Sequence, residues 1–217
     1  MSEKYQFVKP TRIIWAHLIK PRPGRTVNGT VYKPQYEVTF LFDPDHPDFI
    51  AIKAMLGREA MTTLGRVDNC KYPLERGDAL ADKAKAKDKD REFLRGMILF
   101  KAHGLVTRQN GEDADPPRLK LLQNGQYVSF DRDERKAAEK FFYPGVHCVG
   151  DISLVGYTGM GGGVSAYLNE ILSFNYGERV AGGVDDETKY GDPSKWSQYV
   201  GTVSSVNPTV GAGEIPF

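Results

Sequence analysis

Residues 143–176 constrain the fold more than any other stretch of the chain. They open with Tyr143-Pro144-Gly145 and enter an apolar arm, Val146 to Tyr157, rich in β-branched residues. Such an arm reads as a strand. The tip, Thr158-Gly159-Met160-Gly161-Gly162-Gly163, holds too many glycines for regular structure, because each carries a large ordering cost. The second arm, Val164 to Tyr176, reads two ways. Val164, Leu168 and Ile171 fit a helix face, whereas Leu168, Leu172, Phe174 and Tyr176 fit a strand face. Two long arms and a glycine tip make a hairpin that must lie on a larger sheet.

The chain has 217 residues, 40% hydrophobic and 26% charged, as expected of a soluble globular protein of one large or two small domains. No apolar run approaches the roughly 20 residues of a membrane helix. The opening Met1-Ser2-Glu3-Lys4 leads into no signal-peptide apolar core. Cys70 and Cys148 lie far apart and read as free thiols in a reducing cytoplasm. The net charge of +1 conceals an asymmetry. Residues 1–35 hold seven bases and the single acid Glu3, whereas residues 181–217 hold five acids and two lysines. A basic start points to an anionic partner, and an acidic end to self-masking or a protein partner.

Several further elements follow from pattern. Residues 12–20 read as a strand with Ile14, Ala16 and Leu18 on one face and Ile13, Trp15, His17 and Ile19 on the other. A basic loop follows, with turn chemistry at Pro21-Arg22-Pro23-Gly24-Arg25 and Asn28-Gly29. It leads to a second strand at 36–42, whose Tyr36, Val38, Phe40 and Phe42 share a face. Asp43, Asp45, His46 and Asp48 resemble a metal cluster. Their place before Phe49, Ile52, Leu56, Ala60 and Leu64 fits a helix start better, with carboxylates at the positive end of the dipole and an end near Gly65. Residues 72–92 alternate alanine with mixed charge, as in an exposed helix or mobile insertion. A third strand spans 96–102. Asn124-Gly125 turns a small hairpin between 118–122 and 127–130, and 133–142 forms a short helix. Residues 184–217, rich in Gly, Ser, Thr, Pro and Asp, bury too little to offset ordering and read as flexible.

Catalytic signatures are sparse. Nothing fits a P-loop, and at Gly159–Gly163 the residue Val164 stands where a dinucleotide fingerprint needs its third glycine. The four histidines, 17, 46, 103 and 147, are scattered. His147 and Cys148, as strand neighbours, point to opposite faces and do not share a metal easily. No catalytic residue, metal site or cofactor is therefore assigned. What remains is aromatic side chains interleaved with cations. Trp15 lies between Arg12 and Lys20, Tyr32 precedes Lys33, Phe100 precedes Lys101, and Tyr157 and Tyr167 bracket the glycine tip. Single-stranded nucleic acid needs this mixture: cations for phosphates and flat side chains on which bases stack. An aromatic on a strand belongs to the core more often than to a binding platform, and Phe40, Phe42 and Phe174 are assigned there. The expected DNA-binding set is Trp15, Lys20, Arg22, Arg25, Tyr32, Lys33, Lys101, Tyr157 and Tyr167.

The run Gly163-Val164-Ser165-Ala166-Tyr167-Leu168-Asn169-Glu170-Ile171-Leu172, preceded by Tyr143-Pro144-Gly145 and followed by Gly177-Glu178-Arg179, resembles a family of phage proteins long known only as a domain of unknown function. That family is related to phage single-stranded DNA-binding proteins with an OB fold. The resemblance spans residues 5–180 and implies that the second hairpin arm is a barrel strand. Independently, Glu214-Ile215-Pro216-Phe217 resembles the tip of bacterial single-stranded DNA-binding proteins, which recruits replication and repair proteins and folds back onto the DNA groove. Here only Glu214 directly precedes the tip, and the other acids of the tail lie at 185–192.

The expected protein is mainly β: a five-stranded OB-fold barrel with inserted helices over residues 1–180, then a flexible acidic tail over 181–217. Its expected function is sequence-independent binding of single-stranded DNA in phage replication or recombination, within the host cytoplasm. The tail would recruit replication or repair proteins through Glu214, Ile215, Pro216 and Phe217. Two rival readings are a metal-dependent nucleotide-processing enzyme built on Asp43, Asp45 and His46, and an adaptor that uses the tail alone.

Overall fold

A computed structural model describes residues 3–27, 30–108 and 110–180. The Asn28-Gly29 turn, the tail and its tip lie outside the described residues. Eleven strands and three α-helices follow in chain order. They are β1 (Glu3–Gln6), β2 (Thr11–Arg22), β3 (Arg25–Val27), β4 (Thr30–Tyr32), β5 (Gln35–Phe42), α1 (Pro47–Leu64), β6 (Leu74–Arg76), α2 (Gly77–Lys85), β7 (Ile98–Leu105), β8 (Arg118–Gln123), β9 (Gln126–Phe130), α3 (Arg135–Ala138), β10 (His147–Tyr157) and β11 (Gly163–Ser173).

Five of these strands close a ring. β2 pairs antiparallel with β5, β5 with β7, β10 with β11, and β10 with β2 at His147↔Arg12 and Cys148↔Thr11. The remaining seam is parallel, β7 to β11, at Tyr167↔His103. Beyond that pair the seam opens and residues 71–76 fill it. β6 pairs with β7, the Val164 amide donates to the Lys71 carbonyl at 2.9 Å, and the Lys71 amide donates to the Gly162 carbonyl at 3.1 Å. β1 extends the sheet beside β10, and the β8–β9 hairpin extends it beside β11. Asn124 and Gly125 both adopt positive φ, 51° and 76°, as the two-residue turn between β8 and β9 requires.

Inward-facing Ile13, Leu18, Val38, Phe40, Phe42, Phe100, Ala102, Ile152, Leu154, Val164, Ala166 and Leu168 form the core. Phe7 packs edge-on to Phe40 at 4.7 Å and beside Phe42 at 5.4 Å. Gly150 lies inside this barrel because a Cβ there would stand 2.8 Å from the Phe40 ring. α1 buries Phe49, Ile52, Met55, Leu56 and Ala60 in the same core. It starts at His46, whose Nδ1 accepts from the Asp48 amide, and ends at Gly65 with φ 66°. Asp48 is fully buried and accepts from the Tyr5 hydroxyl at 2.7 Å, the Val8 amide at 2.8 Å and the Lys9 amide at 3.0 Å. The acid-rich stretch before α1 thus starts a helix and ties the N-terminal strand to it. α3 supplies buried Arg135, which donates to the carbonyls of Pro117 and Leu18.

Three local expectations are revised and one ambiguity, the second hairpin arm, is resolved. Strict alternation along β2 fails, because a bulge between Ile14 and His17 holds Trp15 at φ 48°. Ile13, Ala16 and Leu18 consequently pack toward the barrel core, while Ile14 and Trp15 pack outward. The second hairpin arm is a strand whose helical appearance has a similar origin. Asn169 bulges out between Leu168 and Glu170, so Leu168 and Ile171 both face inward three residues apart. The Asn169 amide is used locally, donating to Asp151 Oδ1 and Ser153 Oγ, each at 2.9 Å. Residues 72–92, expected as an exposed helix or mobile insertion, hold β6 and α2, and Leu80 anchors α2 to buried residues nearby. Leu94 is fully buried with Ile14, Leu41 and Leu99, and Trp15, Leu80, Phe93 and Met97 complete a second small core on the outside of the barrel. Phe174, expected in the core, is half-buried beside Tyr176.

Candidate nucleic-acid interface

The outer faces of β2, β5, β7 and β11 form one continuous surface. The α2 insertion covers one part of it through the second small core. The uncovered part carries a ladder of directly paired residues: His17 to Glu37, Glu37 to His103, and His103 to Tyr167. Each is partly exposed and alternates with core neighbours such as Leu18, Val38, Ala102 and Ala166. The His103 and Tyr167 rings lie 4.5 Å apart at 52°, a tilted pair with solvent on one side. Burial lowers the pKa of both histidines, and the nearby Glu37 carboxylate only partly offsets this. Near neutral pH the ladder is therefore two uncharged imidazoles, a phenol and one carboxylate.

Cations approach this ladder from the connection between β2 and β5. Arg22 Nη1 donates to Glu37 Oε2 at 3.0 Å. The basic connection is itself a small antiparallel hairpin, β3–β4, in which Arg25 pairs with Tyr32 and its guanidinium lies 5.6 Å from the ring centroid. Tyr32 is 43% exposed. Burial raises the Tyr157 phenol pKa, and the Tyr32 phenol adds to the shift. Lys20 and Lys33 are exposed at the two ends of the connection, and neither has an ion-pair partner among the described residues.

The expected residues are thus not equivalent. Lys20 and Arg22 end β2, Arg25, Tyr32 and Lys33 belong to the connection from β2 to β5, and Tyr157 ends β10. Tyr167 belongs to the ladder. Trp15 lies at the edge of the insertion, with the Arg91 guanidinium 5.1 Å from its ring centroid. Lys101 is half-exposed on β7 and paired with Glu75 of β6. Pattern reading overlooked His17, Glu37 and His103. The signal was available: Glu37 and His103 alternate with the apolar residues assigned to the core, so they must face outward. Burial raises the Glu37 pKa, but hydrogen bonds from Gln35 and Arg22 and the charges of Arg22 and Arg25 outweigh it and hold the carboxyl below its ordinary value.

Among solved structures the fold has clear counterparts. It superposes on the single-stranded DNA-binding protein of bacteriophage Enc34 with a TM-score of 0.58 and 17% identity, over 86% of this chain and 88% of that one. The same phage protein in complex with single-stranded DNA gives 0.58 and 17% over 82% and 88%. The single-stranded DNA-binding protein gp2.5 of bacteriophage T7 gives 0.50 and 14% over 96% and 100%. No protein-family model matches the chain, nor does any curated protein sequence. The five-stranded ring with its parallel seam is an OB barrel, and the fold is the one shared by these phage single-stranded DNA-binding proteins.

Proposed function

We propose that the protein binds single-stranded DNA without regard to sequence, in phage DNA replication or recombination. The strand would cross the outer face of β2, β5, β7 and β11 beneath the β3–β4 hairpin. The observation that carries this reading is the pairing of an aromatic ladder with a cationic arm: Tyr167 and His103 offer ring surface, while Arg22, Arg25, Lys20 and Lys33 border it. OB barrels bind strands on this kind of face with help from the loops that flank it. The structure of a protein with the same fold in complex with single-stranded DNA supports single-stranded DNA as the ligand. Tyr32 and Tyr157 would add stacking surface at the hairpin end, and Trp15 and Lys101 would border the path beside the insertion. Binding and release require no reaction, so no group is given a catalytic role. The tail, through Glu214, Ile215, Pro216 and Phe217, would recruit replication or repair proteins, on the strength of its sequence.

Fluorescence anisotropy with a labelled 30-mer, single-stranded against duplex over a salt series, tests the reading. The expected result is tighter binding of the single strand, weakening as salt rises. Replacing Arg22 and Arg25 together by alanine should lower affinity and flatten the salt slope by roughly 0.7 per lost phosphate contact. An unchanged slope would remove the arm from the site.

A further inference from the structure

A carboxylate in the middle of a polyanion-binding face opposes the function of that face, yet Glu37 is built into this one. It lies on β5 between His17 of β2 and His103 of β7, with its side chain only 21% exposed. It accepts from Arg22 Nη1 at 3.0 Å and from the Gln35 amide. Arg22, which would otherwise be free for phosphate, is therefore already occupied by an anion, and two neighbours fix that anion in place.

We propose that Glu37 is an internal counter-anion that holds Arg22 until a DNA phosphate replaces it, and so makes the site selective for polyanions that carry bases. The inference rests on the reading of this face as the DNA site. Exchange of one anion for another at Arg22 releases little free energy by itself. The displaced carboxylate also remains beside the incoming phosphate, where like charges repel. A ligand must supply the difference by other contacts, and the ladder offers them: base surface against Tyr167 and His103. A polyanion without bases has nothing to place there. Glu37 thus weakens every polyanion by a similar factor, and only a strand with unpaired bases keeps enough other contact to stay bound.

The experiment uses the full chain, its Glu37→Gln, Arg22→Ala and double variants, a labelled single-stranded 30-mer and unlabelled inorganic polyphosphate as competitor. Glutamine keeps the shape of the side chain and removes its charge. Glu37→Ala serves as a second variant, and a thermal melt reports folding of each. The expected result is that Glu37→Gln binds the 30-mer about three- to tenfold more tightly. Its salt slope should steepen by roughly 0.7, because no displaced carboxylate takes up a cation when the phosphate reaches Arg22. Polyphosphate should displace DNA from the variant at lower concentration than from the parent. In the Arg22→Ala background the gain from Glu37→Gln should shrink to what direct repulsion alone accounts for. Equal or weaker DNA binding by both Glu37 variants, with the parent binding normally, overturns this inference and leaves the DNA-binding reading intact. A gain that keeps its full size without Arg22 overturns the exchange at that residue, and an unchanged polyphosphate competition curve in Glu37→Gln overturns the selectivity. Failure of the parent and all variants to bind the 30-mer overturns both readings together.

Discussion

Tyr167 and His103 meet at the single β-pair that closes the parallel seam, so the same register that seals the barrel also presents two rings to solvent. If bases stack there, Tyr167→Ala should weaken binding of a single strand by roughly 1–3 kcal/mol, while Tyr167→Phe should bind as the parent does; anisotropy titration measures both. The histidines make a second prediction with a defined sign. Burial holds the pKa of His17 and His103 below the ordinary value of 6.5 in the folded chain. Their contribution to stability is thus present above that value and lost as the pH falls through the folded pKa. The melting temperature should drop between pH 7 and pH 5, and His103→Gln should remove part of the drop. Glu37, held low, stays ionised throughout that window. Binding of DNA should strengthen over the same interval, because protonated imidazoles beside phosphates are favoured.

At the scale of elements, the insertion and the hairpin differ in what they do for the barrel. The insertion buries Leu94 against Ile14, Leu41 and Leu99, so Leu94→Ala should cost about 2–5 kcal/mol in a urea titration. Its packing also explains Trp15. A non-glycine residue at φ 48° is strained by roughly 1–3 kcal/mol and persists only where surrounding packing over-determines it. The β3–β4 hairpin is a separate two-stranded sheet. Replacing it by a short turn should leave the melting temperature nearly unchanged while weakening single-strand binding and flattening its salt dependence. β1 is held by another means, since Asp48 at the start of α1 gathers three donors from residues 5–9. Asp48→Ala would leave those donors unpaired and should cost at least about 3 kcal/mol, measured by chemical denaturation.

Among the described residues, the ring β2-β5-β7-β11-β10 and the helix α1 share one core built from residues 7–171. Removing residues 181–217 should therefore leave the melting temperature of the barrel unchanged and preserve single-strand binding. Loss of the cooperative transition on that truncation would mean that the tail contributes to the folded core.

Much of the barrel was legible in the chain because alternation and turn chemistry are local. The strand at 36–42, a helix start within 43–48 and its end at Gly65, and the Asn124-Gly125 hairpin all follow from patterns a few residues long. Both failures of period came from bulges, at Trp15 and at Asn169. Each lets residues three apart face the same core, and nothing within a few neighbours distinguishes that spacing from a helix. The site was legible only in composition: aromatics and cations interleave, but the ladder His17–Glu37–His103–Tyr167 draws its members from residues far apart in sequence. By itself the sequence determined most strands of the barrel ring and which loop is basic. Tertiary structure alone decided that the insertion covers part of the outer face, that a carboxylate stands in the centre of the remainder, and which rings lie beside it. Those outcomes depend on register between distant strands, which is set by burying one shared core.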